Sequence, residues 1–469
     1  MPTPARTVGV LVLGDVGRSP RMQYHALSLA TCFPTTRVLL IGYRGERCIP
    51  DVERRPQQIV PLLMRAEVLP AGARRVLPYA VYALLKAALG LLQLVWTLLF
   101  LAPRADVLLM QTPPAIPTLA AAWLVRAVRG TTLVVDWHNL AFSVMVQNAG
   151  LRAAHPLVRA ARAYERTFAA AADAHLCVTG AMAAWLRERW GVDAHVLHDR
   201  PPAFFRRLAE RERHELLLRI RPQLDVGLHG APLGGADGHG YWGDDLTPWT
   251  RGEGGAVCRR EGAPAIIVSS TSWTPDEDFS LLVDALVALD TALERQRDLA
   301  GPSATPRRAR VVALVTGKGP LKASYECRFA ELGLRHVAIG TLWLEPSDYP
   351  GLLGSADVGV SLHTSTSGLD LPMKVLDMFG CGLPVCARAF ACLPELVTHG
   401  ANGLVFSSAA ELAEQLLSLL APSDAAAAAL RELRDGVAAA EAERPRWDQN
   451  WRAIAAPLFA SVSAEQLPS

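Results

Sequence analysis

Residues 365–385 read STSGLDLPMKVLDMFGCGLPV. A glycine-containing loop runs into a helical stretch, and Gly382-Leu383-Pro384-Val385 then turns the chain back into a strand. A helix advances about 100° per residue, so Asp370, Lys374 and Asp377 fall on nearly one face. A lysine between two carboxylates, beside the Gly368 and Leu369 amides, can hold an anion, and the carboxylates can accept from hydroxyls. That chemistry suits a nucleotide-sugar. A purely structural reading of the same residues is that Asp370 caps the helix and Lys374 pairs with it across one turn.

Outward from this stretch, continuous apolar strands alternate with helical segments. Val8–Leu13, Val38–Gly42, Gln58–Leu63, Val107–Met110, Leu133–Asp136, His175–Thr179 and His195–Leu197 form a first set. Ala265–Ser270, Val311–Val315, His336–Ile339, Val358–Leu362, Pro384–Ala387 and Gly403–Phe406 form a second. Such runs predict parallel sheets covered on both faces. The expected fold class is α/β, with two doubly wound, Rossmann-like domains facing a cleft. Residues 1–205 are expected to form the first domain and 263–445 the second, with a helix and tail over 446–469. Residues 206–262 are expected to be a mobile linker or insertion, because 222–262 is rich in Gly and Asp and has no period. A helix is predicted to start at Thr274-Pro275-Asp276-Glu277, where cap, proline and acids suit a helix N-terminus.

A chain of 469 residues with formal net charge +2 lacks the basic excess of a nucleic-acid binder, so no nucleic-acid partner is expected. Eight cysteines are scattered without close pairs; Cys381, Cys386 and Cys392 are read as core thiols. Tyr79–Ala102, YAVYALLKAALGLLQLVWTLLFLA, is long enough to cross a bilayer. Strands on both sides of it argue against a single crossing, which would split one sheet. The segment is expected to dip into one leaflet or lie on the membrane surface. The alternative is a wholly buried core helix.

Several loops follow strands at their carboxyl ends, where doubly wound sheets bind ligands. Gly14-Asp15-Val16-Gly17-Arg18-Ser19-Pro20-Arg21 offers close backbone approach and positive charge. It is not the dinucleotide fingerprint, which counts against a nicotinamide oxidoreductase. Asp136-Trp137-His138-Asn139 ends another strand. Gly317-Lys318-Gly319 is a diphosphate contact without Walker spacing. Trp343 and Glu345 are placed to border the base of a nucleotide. No metal site is required: Asp276-Glu277-Asp278 is read as complementing a helix dipole. Stimulation by a divalent cation such as Mg2+ is left open, because nucleoside diphosphates carry metal in solution.

With these residues in view, the chain resembles the chitobiosyldiphosphodolichol beta-mannosyltransferases. The matching stretches are GDVGRSPRMQYHALSLA, VVDWHN, SSTSWTPDEDFSLLVDAL, VTGKGPL, the block from Leu344 to Ala387, NGLVF and RWDQNW. They run from Gly14 to Trp451. The resemblance implies a GT-B glycosyltransferase at the cytosolic face of the endoplasmic reticulum membrane. It implies GDP-mannose as donor and dolichyl-diphosphate chitobiose as acceptor, with a beta-1,4-linked, inverted product. Association with other mannosyltransferases of the same pathway is a further implication. Related retaining enzymes carry Glu residues spaced E-x7-E, where this chain has Asp370 and Asp377, one residue closer. Members of the family often begin with a hydrophobic anchor and this sequence shows none, so Tyr79–Ala102 is expected to supply most membrane contact.

Inversion needs one base, and Asp15 and His138 are the candidates, with Asp15 favoured because its loop opens on the acceptor side. Gly14, Gly17, Arg18, Arg21, Asp136 and Asn139 are expected to contact the acceptor, Arg18 and Arg21 at its diphosphate. Gly317, Lys318, Gly319, Trp343, Glu345, Gly368, Leu369, Asp370, Lys374 and Asp377 are expected to contact the donor. The competing readings are another GDP-mannose-dependent transferase acting on lipid-linked oligosaccharides and a non-catalytic membrane-bound scaffold.

Overall fold

The computed structural model describes residues 6–66, 69, 72, 77–148, 150–233, 242–274, 277–299, 310–345, 347–365 and 367–461. These form two compact units: the described residues of 1–199, 366–370 and 447–469, and those of 200–365 and 371–446.

The first unit is a seven-stranded sheet. Its strands are β1 (Thr7–Asp15), β2 (Arg37–Tyr43), β3 (Ile59–Met64), β4 (Val107–Thr112), β5 (Thr132–Trp137), β6 (Ala174–Cys177) and β7 (His195–Val196). They lie in the order β3-β2-β1-β4-β5-β6-β7, all parallel. The helices are α1 (Pro20–Cys32), α2 (Pro50–Glu53), α3 (Tyr79–Trp96), α4 (Thr118–Arg129), α5 (Ala141–Asn148), α6 (Pro156–Ala169) and α7 (Gly180–Trp190). The long strands are buried on both faces, as their unbroken apolar runs require. Helix boundaries follow local chemistry. The Thr179 hydroxyl caps α7 through the Met182 amide, and Gly191 ends it at φ 68°.

The second unit repeats the pattern. Helix α8 (Glu210–Gly227) and strands β8 (Leu228–Gly230), β9 (Thr250–Glu253) and β10 (Ala256–Arg259) precede β11 (Ala265–Ser270). Then come α9 (Ser280–Leu299), β12 (Val311–Thr316), α10 (Lys322–Glu331), β13 (Val337–Leu342), α11 (Tyr349–Ser355) and β14 (Val358–Ser361). Helix α12 (Met373–Gly380), β15 (Val385–Arg388), β16 (Gly403–Phe406), α13 (Ala409–Leu420) and α14 (Asp424–Glu443) complete it. The sheet order is β16-β15-β14-β11-β12-β13-β8, parallel except for β8. Cys381, Cys386 and Cys392 are buried free thiols. The chain's last helices, α15 (Trp447–Ile454) and α16 (Ala456–Ser461), pack in the first unit.

Three expectations change. Residues 206–262 are not simply a linker: α8 runs through Pro222 and buries Leu216, Leu217, Ile220 and Leu224. β8 then joins the sheet edge, and β9–β10 form a hairpin that directly follows the fully buried Trp249. Composition hid this because the order comes from long-range bonds, such as His214 to Thr250 and to the Asp244 carbonyl. Part of the glycine-rich run, 234–241 with His239, lies outside the described residues. Helix α9 starts at Ser280 rather than Thr274. Helix α12 starts at Met373 with Pro372 as its cap residue, so Asp370 does not cap it.

Candidate active site

In the first unit, Asp136 near the end of β5 is the centre of a buried charge cluster, with 0% exposure. Arg21 on α1 grips it with two parallel bonds, Nε to Oδ2 at 2.8 Å and Nη2 to Oδ1 at 2.9 Å. His25, one turn further along α1, meets Asp136 Oδ2 at 3.1 Å. The Trp451 indole N–H donates to His25 Nδ1 at 2.9 Å, which leaves His25 Nε2 carrying its proton toward Asp136. His138 Nε2 reaches the same Oδ2 at 3.2 Å and stands partly exposed. Burial alone would raise the Asp136 pKa, but Arg21 and His138 hold its carboxyl well below the usual range. Burial keeps His25 neutral by pushing its pKa down.

Arg21 was expected at the acceptor's diphosphate, but it is 1% exposed and four of its five N–H donors bond within the first unit. Besides Asp136 it bonds Asp199 at 2.7 Å and the Leu197 carbonyl at 2.9 Å, and it lies 5.3 Å from the Trp447 ring centroid. Asp136 is likewise too buried to touch a ligand directly. The first-unit loop after β1 is tied by Asp15: Oδ1 accepts from the Gly17 amide at 2.9 Å and Oδ2 from the Glu46 amide at 3.0 Å. A Cβ on Gly17 would overlap the Glu46 carbonyl, so that glycine is a packing requirement. Gly14 has room around it, and Arg18 is exposed at the loop tip. Asn139 donates to Asp370 Oδ1 at 3.0 Å, and the Leu369 carbonyl accepts from the Thr179 hydroxyl at 2.5 Å. Asp370 therefore sits among first-unit groups rather than on the α12 face with Lys374.

The second unit presents loops from β11, β12, β13 and β14. Gly317 has φ 142°, and a Cβ there would stand 1.7 Å from the Thr271 carbonyl oxygen. At Gly319 the corresponding distance to the Ser272 carbonyl is 1.8 Å. The two glycines let the Gly317-Lys318-Gly319 loop lie flat against the loop after β11. There, Trp273 takes a positive φ of 51° and is buried among Phe279, Tyr325 and Phe329. Lys318 Nζ lies 3.9 Å above the exposed Trp343 ring. The Glu345 carbonyl accepts from the amides of Asp348 and Tyr349 at the start of α11. Lys374, in the first turn of α12, pairs with Glu277 Oε1 at 2.5 Å. Asp377 lies one turn on, close enough to Tyr349 and Cys381 to help raise both their pKa values, though burial contributes most. Gly368 has φ 74°, and the Leu369 amide donates to the Ser367 hydroxyl at 3.2 Å.

Glu277, His25, Asp199 and Trp447 were not singled out from the sequence. Glu277 was read as a dipole complement within an acidic run. Only RWDQNW, matched as a motif without a role, pointed toward Trp447 and Trp451. Among the described residues no group of three His, Cys, Asp or Glu side chains is arranged to hold a metal ion; Asp276 lies outside them.

Helix α3 presents a distinctive surface. Leu94 and Leu98 are buried one turn apart, while Leu84, Leu92, Trp96, Phe100 and Leu101 stand exposed along the helix and the π-helical turn Thr97–Leu101. It is not a wholly buried core helix. Leu84–Leu101 is long and apolar enough to cross a membrane by length and composition. Strands from both sides of it, β1–β3 and β4–β7, form one sheet.

Comparison with known proteins agrees with this architecture. Residues 23–203 match the glycosyl transferase 4-like domain family, and 281–422 match the glycosyl transferases group 1 family. The chitobiosyldiphosphodolichol beta-mannosyltransferase of Mus musculus is 41% identical over 97% of this chain and 89% of its own length. The protein of the same name from Homo sapiens is 40% identical over 97% and 92%. An Arabidopsis thaliana relative, 41% identical over 97% of each chain, is named UDP-glycosyltransferase TURAN. Among solved structures, sucrose-phosphate synthase from Thermosynechococcus elongatus has a TM-score of 0.61 at 14% identity, over 98% of this chain and 99% of its own. Anabaena HepE with UDP and glucose has 0.59 at 14% identity, over 98% and 100%. These last likenesses concern the fold alone. The chain is a glycosyltransferase of the GT-B fold and belongs to the chitobiosyldiphosphodolichol beta-mannosyltransferase family.

Proposed function

We propose that this enzyme transfers mannose from GDP-mannose to dolichyl-diphosphate chitobiose, forming a beta-1,4 linkage with inversion at the anomeric carbon. The reaction takes place at the cytosolic face of the endoplasmic reticulum membrane, with the exposed face of α3 in the lipid interface. The observation that carries the chemistry is His138 hydrogen-bonded to the buried, ionised Asp136.

Inversion is one displacement. His138 takes the proton of the acceptor's 4-hydroxyl at Nδ1, because Nε2 faces Asp136. The hydroxyl oxygen bonds to the anomeric carbon as GDP departs with the electrons of the broken C–O bond. Asp136 holds the ring and stabilises the imidazolium that forms, and Arg21 and His25 hold Asp136. Asp15 has both carboxylate oxygens on backbone amides and acts here by shaping the acceptor loop. Lys318 and Lys374 of the second unit receive the departing diphosphate. Asp377 accepts from the ribose, and Trp343 and Glu345 border the guanine. Gly14, Gly17, Arg18, Asn139 and Asp370 contact the acceptor or position the loops that do.

Purified protein incubated with GDP-mannose and a short-lipid diphospho-chitobiose should yield a mannosylated product that beta-mannosidase cleaves. A product resistant to beta-mannosidase removes the inverting reading. Turnover with a UDP-sugar in place of GDP-mannose removes the donor assignment.

A further inference from the structure

With Arg21 held in the core, Arg18 is left as one of the two arginines expected at the acceptor's diphosphate. At the carboxyl ends of β2 and β3 lies a cavity of about 670 Å3 lined by Arg44, Leu63, Met64, Arg65 and Ala66. The strands are paired in parallel up to Tyr43 and Met64, and the Arg44 amide bonds the Met64 carbonyl at 3.0 Å. Arg44 and Arg65 therefore stand side by side, one residue beyond the paired ends. Both are exposed, and among the described residues neither forms an ion pair. The Gln93 side chain of α3 donates to the Arg65 carbonyl at 3.2 Å, which fixes the apolar helix to the rim of this cavity.

We propose that Arg44 and Arg65 bind the diphosphate of the polyprenyl-linked acceptor and lead its lipid onto α3. The proposal rests on the acceptor class assigned above. Its support is a match of order. Neighbouring strands are about 4.8 Å apart, and β2 lies three strands from β5, so Arg44 stands roughly 14 Å across the strand ends from His138. The acceptor presents, in sequence, a reacting hydroxyl, two sugar rings, a diphosphate and an isoprenoid chain. The protein presents His138, the loop after β1, two unneutralised arginines and an apolar helix in the same order. Arginine's planar fork matches phosphate oxygens in pairs, and Leu63 and Met64 offer an apolar wall to the first isoprene.

The test is the double variant Arg44→Ala/Arg65→Ala in the full chain. KM for a short-lipid diphospho-chitobiose should rise about tenfold or more, as loss of charge-assisted bonds requires, with KM for GDP-mannose unchanged. Arg44→Lys/Arg65→Lys should recover part of the loss. A chitobioside carrying an uncharged alkyl group in place of the diphosphate should show no difference between wild type and variant. Binding of a short polyprenyl diphosphate, without any sugar, should be seen with wild type and lost in the alanine variant. This last measurement stands even if chitobiose proves not to be the acceptor sugar, so failure of the two ideas can be told apart. An unchanged KM and unchanged polyprenyl diphosphate binding overturn the proposal. So does a variant whose only defect is weaker binding to vesicles containing phosphatidylserine, which would make the site a phospholipid headgroup contact.

Discussion

Asp136 and Asp357 are both buried aspartates clamped by arginine, and they stand at opposite ends of their strands. Asp136 lies near the carboxyl end of β5; Asp357 immediately precedes the amino end of β14. Asp357 is held by Arg259 through two bonds of 3.0 and 3.1 Å, by Arg434 at 2.9 Å and by the Ile266 amide at 3.0 Å. In both cases burial alone would raise the carboxyl's pKa and the arginines hold it below the usual range. The electrostatics are alike, but ligands of doubly wound sheets bind beyond the carboxyl ends. Asp136 is hydrogen-bonded to a partly exposed histidine, His138. Asp357 passes its charge to arginines behind the sheet, where it ties β14 to β10 and α14. On the proposed mechanism the same kind of buried pair serves chemistry in one place and cohesion in the other.

Three substitutions separate these roles. His138→Ala should lower turnover by about 10²- to 10⁴-fold, the range for loss of a general base, while the thermal midpoint stays near wild type. Turnover close to wild type with full mannosylated product would return the base role to Asp15. Next, Arg21→Ala leaves Asp136 buried and half-neutralised and should cost about 3–5 kcal/mol in urea unfolding, with turnover falling alongside. Arg259→Ala should cost less, because Arg434 remains on Asp357, and should leave kcat for mannosyl transfer unchanged. If Arg259→Ala impaired kcat as strongly as Arg21→Ala does, position along the strand would not be what distinguishes the two centres.

The smallest effect concerns a third buried carboxylate. Glu165 accepts from the Ala141 and Phe142 amides at the start of α5. Burial pushes its pKa up to about 7, and the two amides only partly oppose that. A raised carboxyl pKa contributes stability that is complete below the unfolded value of 4.5 and is lost as pH rises through about 7. The two aspartates have the opposite sign: their contribution is present above 3.8 and is lost on acidification below it. Urea unfolding at a series of pH values should show wild type weakening between pH 4.5 and about 7. Glu165→Gln should flatten that decline and leave the acid limb in place. An unaltered slope in the variant would assign the decline to another group.

The strand positions and the alternation of strands and helices were legible in the sequence, because a parallel strand buried on both faces must be continuously apolar. The loops that end those strands were legible for the same reason. Gly317 and Gly319 were read as ligand contacts, and the structure adds a steric requirement that no spacing reveals. Residues 206–262 were misread, since polar, glycine-rich sequence carries no period even when distant side chains order it.

The sequence by itself determined two doubly wound sheets, the family motifs and an apolar helix that cannot cross a membrane without dividing its own sheet. Only the tertiary structure decided which charges meet. Arg21 and Asp136 are 115 positions apart, and His25 and Trp451 are 426 apart. Asp370 and Lys374 are four residues apart in sequence, yet their partners are Asn139 and Glu277. Periodicity constrains only residues on one element. Pairing between elements depends on how the sheet and its helices pack, and a buried charge takes whichever partner that packing brings within reach.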